Sequence, residues 1–223
     1  MRKAELAKLI DHTVLGPATD RTAVERVCEE AKRYRFAAVC IPPTYVDLAN
    51  KLLRDSGVKV CTVVAFPHGQ HLPAVKAFEA KAAVDDGADE VDMVVNVAAL
   101  MAGDYRYVLS DIRAVREATD KAPRPIVLKV ILECALLTDE QKEAGAILAK
   151  AAGADFVKTS TGFGPGGATR EDVALLRRVV GDSLGVKAAG GIRDYETALA
   201  MIQAGASRIG ASQGVQILEG APE

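Results

Sequence analysis

The chain is poor in aromatic residues and contains no tryptophan. Aromatic residues make up 4% of its 223 residues, so the sequence offers no row of stacking side chains suited to single-stranded nucleic acid. The net charge is −2, and Lys and Arg are scattered without the basic cluster that nucleic acids or membranes attract. No apolar run approaches the length of a membrane span. These absences predict a protein that binds neither nucleic acid nor membrane.

Metal-binding and disulfide patterns are missing as well. The cysteines are Cys28, Cys40, Cys61 and Cys134. None forms a Cys-x-x-Cys pair or a zinc-type spacing, which predicts reduced, buried thiols in a cytoplasmic protein. The histidines are His12, His68 and His71. His68 and His71 are separated by two residues with no third ligand nearby in sequence, so we expect a loop or substrate-rim role for them and no bound metal. The basic N-terminus is not followed by a long apolar stretch, and no signal peptide is expected.

Short β-branched segments alternate with longer amphipathic ones along the whole chain. The predicted strands are Leu9–Thr13, Ala37–Ile41, Lys59–Phe66, Glu90–Val95, Ile126–Leu132, Phe156–Ser160, Val186–Ala189 and Arg208–Ala211. Most are nearly continuous apolar runs, which is typical of strands buried on both faces. Eight such strands, each followed by a helix, predict an α/β fold: a single (β/α)8 TIM barrel over residues 1–223 with a short N-terminal helix.

An open doubly wound sheet is the main alternative fold. That fold usually shows a glycine-rich turn after its first strand. The segment from Asp11 to Gly16 lacks this fingerprint, and the closed barrel is therefore favoured.

Polar residues interrupt the predicted strands near their carboxyl ends, where parallel barrels carry their chemistry. They are Asp11, Asp92, Lys129, Lys158, Thr159, Ser160 and Lys187. Polar groups that face a barrel interior are costly unless they are paired. Three lysines and two acids from different strands are hard to explain by packing alone.

Lys158 stands between an apolar Phe-Val pair and a hydroxyl-rich glycine loop, and Lys187 occupies the same place on the next strand. Adjacent strands bring the two amines together. Like-charge repulsion and burial then favour a neutral amine, the form that attacks a carbonyl carbon. Asp92 has two interpretations, a salt-bridge partner or a proton relay, and both can hold. Asp11 and Lys129 are equally compatible with a structural ion pair and a catalytic network.

A phosphate site is predicted by glycines after the last two strands. Gly190 and Gly191 follow the seventh strand, and Gly210 and Ser212 lie at the end of the eighth. Barrels commonly hold phosphate at this place with backbone N–H groups and a helix N-terminus. The loop from Gly162 to Gly167 can assist.

Six segments together resemble the deoxyribose-phosphate aldolases, a family of class I aldolases. The segments are Leu9–Thr13, Val39–Pro43, Glu90–Asn96, Leu128–Glu133, Phe156–Phe163 and Val186–Arg193. They occur in the family's order and cover nearly the whole chain. The chain departs from the family pattern at Gln213, where a short hydroxyl or Gly is common, and it lacks the C-terminal Tyr of some members.

The resemblance implies reversible cleavage of 2-deoxyribose 5-phosphate to acetaldehyde and glyceraldehyde 3-phosphate, in nucleoside catabolism. It implies that Lys158 forms the Schiff base, that Lys187 perturbs it and that Asp92 relays protons. The expected substrate-binding residues are Asp11, Cys40, Lys129, Thr161, Gly162, Gly190, Gly191, Gly210 and Ser212. No metal or cofactor is expected, the partners are small sugar phosphates and aldehydes, and the assembly is a homodimer or homotetramer.

Two other functions compete with this one. A sugar-phosphate isomerase on a barrel would bind phosphate but needs no lysine pair. A non-catalytic sugar-phosphate binding protein would bind ligand without turnover. The interior set of Asp92, Lys158 and Lys187 argues against both.

Overall fold

The structure is a computed structural model that describes residues 1–223. Eight parallel strands close into a barrel in chain order, with β8 paired to β1. The strands are β1 (Ile10–Thr13), β2 (Ala38–Ile41), β3 (Lys59–Val64), β4 (Glu90–Val94), β5 (Val127–Ile131), β6 (Phe156–Lys158), β7 (Gly185–Ala189) and β8 (Arg208–Ala211). The predicted (β/α)8 barrel is confirmed, and the open sheet is wrong.

Helices surround the barrel on all sides. They are α1 (Lys3–Ala7), α2 (Arg21–Tyr34), α3 (Val46–Leu52), α4 (Pro73–Asp85), α5 (Val97–Met101), α6 (Tyr105–Thr119), α7 (Asp139–Ala151), α8 (Arg170–Val180), α9 (Tyr195–Gln203) and α10 (Gly214–Glu219). The predicted short N-terminal helix is α1, and Lys3 at its start donates its N–H to the carbonyl of Pro222 at 3.0 Å. The single domain over residues 1–223 stays a prediction. No helix combines the length and hydropathy needed to cross a membrane.

All eight predicted strands exist, and their bounds agree within two residues. The third predicted strand runs too far, because Ala65 has a φ of +54° and this left-handed conformation ends β3 at Val64. The sixth ends at Lys158, two residues before its predicted bound. Lys158 is therefore the last residue of its strand.

Alternation along a strand can place apolar side chains outside the barrel and charged side chains inside it, as on β4. On β4, Val91 and Met93 join the main hydrophobic core between barrel and helices. Glu90 and Asp92 alternate with them and are buried inside the barrel, where they contact lysines. The period of two in strand side chains thus delivers ionisable groups to the barrel interior.

One ion pair is fully buried outside the barrel interior. Lys76 of α4 lies 2.6 Å from the carboxylate of Asp111 on α6 and donates to the carbonyl of Val94 at 2.8 Å. Burial lowers the pKa of Lys76 and raises the pKa of Asp111, although each partner opposes that shift. Desolvation therefore outweighs their attraction, and neither charge is tolerable alone.

Asp111→Ala should lower the free energy of unfolding by about 3–5 kcal/mol, because it leaves the Lys76 ammonium buried without a partner. Urea titration measures this loss. Asp85→Ala is the matched control, since it breaks the exposed Lys81–Asp85 pair on the same helix α4 and should cost less than about 1 kcal/mol. Equal small losses in both variants would contradict the account.

Candidate active site

A pocket of about 340 Å³ opens at the carboxyl ends of the strands. Seven residues expected from the sequence to act in the site line it: Lys158, Thr161, Gly162, Gly190, Gly191, Gly210 and Ser212. The structure therefore brings the expected nucleophile and the expected phosphate-binding residues to one cavity.

Five other expected site residues lie beneath this pocket and do not line it. They are Asp11, Cys40, Asp92, Lys129 and Lys187, each fully buried in the barrel. Lys158 is the only lysine among the pocket-lining residues. The expected set thus divides into a lining layer and a supporting layer.

The carboxylate of Asp92 connects the two layers. Its Oδ2 accepts from the Nζ of Lys158 and from the Nζ of Lys187, both at 2.8 Å. Its Oδ1 accepts from the Nζ of Lys129, also at 2.8 Å. The strand register explains this meeting, because Lys129 is the Cα partner of Asp92, and Lys158 is the partner of Lys187.

A second set of ion pairs holds the supporting lysines. Lys187 Nζ lies 2.5 Å from Asp11 Oδ2, and Lys129 Nζ lies 2.5 Å from Glu90 Oε2. Arg208 joins both acids, at 2.7 Å to Asp11 and 3.0 Å to Glu90. Glu90 and Arg208 were missed by sequence reasoning. The signal for Glu90 was its place two residues before Asp92, hence on the same strand face.

Charges in this cluster are closely balanced. Three carboxylates, from Asp11, Glu90 and Asp92, contact four cationic side chains. The cations belong to Lys129, Lys158, Lys187 and Arg208. With Lys158 uncharged, the remaining three cations match the three carboxylates. A buried cluster without net charge avoids the large cost of desolvating an unpaired ion.

The surroundings fix the protonation of the supporting groups. Burial disfavours charge on Lys187, but Asp11 and Asp92 outweigh burial and raise the pKa of Lys187 well above its ordinary value. Burial likewise opposes charge on Asp92, yet its three lysine partners hold the pKa of Asp92 well below its usual range. A lasting positive charge on Lys187 therefore lies beside the Lys158 amine.

Cys40 and Cys61 lie opposite each other on the neighbouring strands β2 and β3, inside the barrel, and neither forms a disulfide. Cys61 Sγ donates to Asp92 Oδ1 at 3.2 Å and accepts from Lys129 Nζ at 3.4 Å. The potential ligand atoms of Cys40, Cys61 and Asp92 lie within 4.8 Å of one another, as do those of Asp11, Cys61 and Glu90.

These two groups of side chains fit a metal ion poorly. Burial raises the pKa of the Cys61 thiol well above its ordinary value, and this disfavours the thiolate that binds metals. The carboxylates already contact ammonium groups. Metal-independent chemistry remains a prediction.

Glu133 holds the loop after β6 in place. Its backbone is left-handed, with a φ of +59°, and its carboxylate accepts from the backbone N–H of Thr161 at 3.3 Å and from the Thr161 hydroxyl. Phe163 donates its N–H to Thr161 Oγ1 at 3.0 Å, and its ring contacts Phe66 edge-on at 5.4 Å. Sequence reasoning missed this role of Glu133, because a positive φ on glutamate is uncommon and no local pattern predicts it.

Glycines at the other side of the pocket admit close backbone approaches. Gly190 and Gly191 have φ values of +89° and +79°, which disfavour other residues. A Cβ at Gly210 would lie 3.0 Å from the Cε of Lys187, so this glycine leaves room for the lysine side chain. Ser212 follows β8 and precedes α10, a helix of six residues.

Comparison with known proteins agrees with this geometry. A model of the DeoC/LacD family of aldolases matches residues 6–220. The chain belongs to this family. It is 57% identical over 218 residues to deoxyribose-phosphate aldolase from Streptococcus suis (strain 05ZYH33), with 97% of each chain covered. It is 56% identical over 220 residues to the enzyme of the same name from Clostridium perfringens (strain SM101 / Type A), with 99% of this chain and 97% of the relative covered.

A solved structure gives the same result. The tetrameric deoxyribose phosphate aldolase from Aeropyrum pernix superposes with a TM-score of 0.89 at 34% identity, covering 97% of this chain and 91% of that chain. The chain is therefore an aldolase, a carbon–carbon lyase, and the predicted enzyme class is confirmed.

Asp11 makes the stability of the site depend on pH. Burial would raise its pKa, but Lys187, Lys129 and Arg208 together lower the pKa of Asp11 to about 2 from 3.8. A carboxyl with a lowered folded-state pKa stabilises the fold above its ordinary pKa and loses that contribution as pH falls through the folded value. The contribution is thus lost between about pH 4 and pH 2. It amounts to roughly 2 kcal/mol of the free energy of unfolding, since a shift of one pKa unit corresponds to about 1.4 kcal/mol.

Urea unfolding at a series of pH values between roughly 5 and 2 tests this, because that range spans the window in which the contribution is lost. Wild type should lose more stability across it than Asp11→Asn, which has no carboxyl to protonate. Asp47→Asn, in an exposed pair with Lys51, should keep the wild-type slope. Parallel curves for wild type and Asp11→Asn would show that Asp11 carries none of the dependence.

Proposed function

We propose that the chain cleaves 2-deoxy-D-ribose 5-phosphate reversibly to acetaldehyde and D-glyceraldehyde 3-phosphate, through a Schiff base on Lys158. Family membership and the names of the relatives support the reaction. One observation supports the nucleophile: Lys158 alone among the clustered lysines lines the pocket. Removal of deoxyribose phosphate in nucleoside catabolism is the corresponding physiological role.

The reaction follows from an amine at this place. The neutral Lys158 amine adds to the C1 carbonyl carbon, and loss of water gives an iminium ion. Loss of the proton of the C3 hydroxyl breaks the C2–C3 bond, and the electron pair moves into the iminium to give an enamine. Glyceraldehyde 3-phosphate leaves, C2 takes up a proton, and water releases acetaldehyde from the amine. The nitrogen serves as the electron sink, so the scheme needs no metal or cofactor.

Lys187 and Asp92 act on this amine from beneath. The charged Lys187 disfavours a second ammonium beside it. Asp92 Oδ2 contacts the Nζ atoms of both lysines at 2.8 Å, which is the distance over which a proton passes along a hydrogen bond. Asp92 is therefore proposed to relay protons while the carbinolamine forms and collapses.

Backbone N–H groups of Gly190, Gly191 and Ser212 are proposed to bind the substrate phosphate, with the Ser212 hydroxyl and the Gly162 loop assisting. A dianion needs several donors, and main-chain N–H groups supply them in turns. Gln213 lacks a short hydroxyl, but its backbone N–H remains. Arg193 also lines this side of the pocket and adds a positive charge there.

A homodimer or homotetramer is proposed for the assembly. The Aeropyrum pernix relative is tetrameric, and α4 with the residue before it exposes large apolar side chains at Leu72, Val75 and Phe78. Exposed apolar clusters of this kind are typical of protein contacts. A cytoplasmic location is proposed from four cysteines that are buried and unpaired.

Lys158→Ala should abolish cleavage of deoxyribose 5-phosphate, because no other lysine reaches the pocket. The assay is aldehyde release in buffer with EDTA, where wild type should keep its rate. Lys150→Ala, which removes an exposed lysine of α7, should be indistinguishable from wild type. Substantial aldehyde release by Lys158→Ala would show that another group forms the covalent intermediate and would contradict the assignment.

Lys187→Leu should slow the reaction by roughly a hundredfold or more near neutral pH, within the range typical of lost acid–base assistance. Loss of the neighbouring charge should also move the rise of the pH–rate profile to higher pH. An unchanged profile would make Lys187 purely structural.

Asp92→Asn should reduce kcat more than it raises KM, whereas a change in KM alone would remove Asp92 from the relay.

Ser212→Ala should lower kcat/KM for deoxyribose 5-phosphate about tenfold or more, since a hydrogen bond to a charged group contributes roughly 1.5–3 kcal/mol. Unphosphorylated deoxyribose never uses that contact and should be nearly unaffected. Ser110→Ala, on the exposed face of α6, is the control. Equal losses for the two sugars would show that Ser212 does not bind phosphate.

A further inference from the structure

His12 lies in β1, buried on the outer side of the barrel. This agrees with the predicted first strand, and His68 and His71 lie in the loop after β3, as expected for them. Alternation along the strand explains the outward direction of His12. Asp11 points into the barrel towards Lys187, Thr13 lines the pocket, and His12 between them faces the helices.

A second residue anchors the His12 ring from α2. Its Nε2 lies 2.5 Å from Oε2 of Glu30, whose other oxygen accepts from Arg26 at 3.2 Å. The ring of Phe36 packs against the imidazole with centroids 5.1 Å apart. A polar ring is thus fixed in an otherwise apolar layer, and the chemistry described above makes no use of it.

The opposite edge of the ring contacts the turn that carries Ser212. His12 is the Cα partner of Ala211, the last residue of β8. A Cβ at Gly214 would lie only 2.8 Å from His12 Nδ1, so the imidazole packs directly against the backbone at Gly214. Ser212, between these two residues, faces the pocket.

We infer that His12, held by Glu30, is a positioning residue that sets the backbone of the Ala211–Gly214 turn for phosphate binding. A phosphate site made of backbone donors has no long side chains with which to correct an error of position, so the support behind the turn decides where the donors point. The inference rests on the proposed function. It assigns to His12 selectivity for the phosphorylated substrate and no part in the bond-breaking steps.

The test compares two sugars in two variants that disturb the same contact from opposite sides. His12→Phe keeps an aromatic ring but loses the anchor to Glu30. Gly214→Ala pushes the turn away from the ring, and it keeps the inference testable if the first variant does not fold. Glu29→Gln, which changes an exposed carboxylate next to Glu30 on the same helix α2, is the matched control.

Both variants should lose about tenfold or more in kcat/KM for deoxyribose 5-phosphate, and inorganic phosphate should inhibit deoxyribose cleavage correspondingly more weakly. Values for unphosphorylated deoxyribose should stay within about twofold of wild type, since Lys158 and its partners are untouched. The control should match wild type with both sugars.

Equal losses with both sugars would reduce His12 to a packing residue and overturn the inference, as would unchanged kinetics in both variants. A failure of the proposed function is separately visible. In that case wild type itself would show no preference for the phosphorylated sugar and no inhibition by inorganic phosphate.

Discussion

Three lysine amines share one buried carboxylate, that of Asp92, and the rest of the site depends on this sharing. Charges without water are tolerable only when their partners are in contact. Asp92 supplies contacts to Lys129, Lys158 and Lys187 at 2.8 Å each. Asp11 and Glu90 complete the balance. The barrel interior is therefore an ionic network whose upper edge, at Lys158, opens into the pocket.

The position of each lysine relative to the pocket is the basis on which we propose different roles for these similar side chains. Lys129 and Lys187 are fully buried, and each contacts at least two carboxylates. Lys158 contacts one acid and faces the cavity. An amine that forms and breaks covalent bonds cannot be held by several salt bridges. Ammonium groups that stabilise charge in the site, in contrast, need several acidic partners to keep them in place.

The strands were predictable because each is a short apolar run, and polar interruptions at Asp92, Lys158 and Lys187 marked the site. Contacts between distant segments were not predictable, because they depend on the register of the strands in the closed barrel. Arg208 begins β8, and its reach to Asp11 and Glu90 follows from barrel closure. The direction of the His12 side chain was not predicted for the same reason: it follows from the inward direction of Asp11, which a single short segment does not reveal.

The central claim is that Lys158 alone forms the covalent bond to the substrate. Treatment with acetaldehyde and borohydride reduces any Schiff base to a stable N-ethyl amine, and peptide mass analysis of the digest locates that group. The account predicts one N-ethyl lysine, at Lys158, in wild type. An ethyl group on Lys187 or Lys129 instead, or no modified lysine at all, would contradict it.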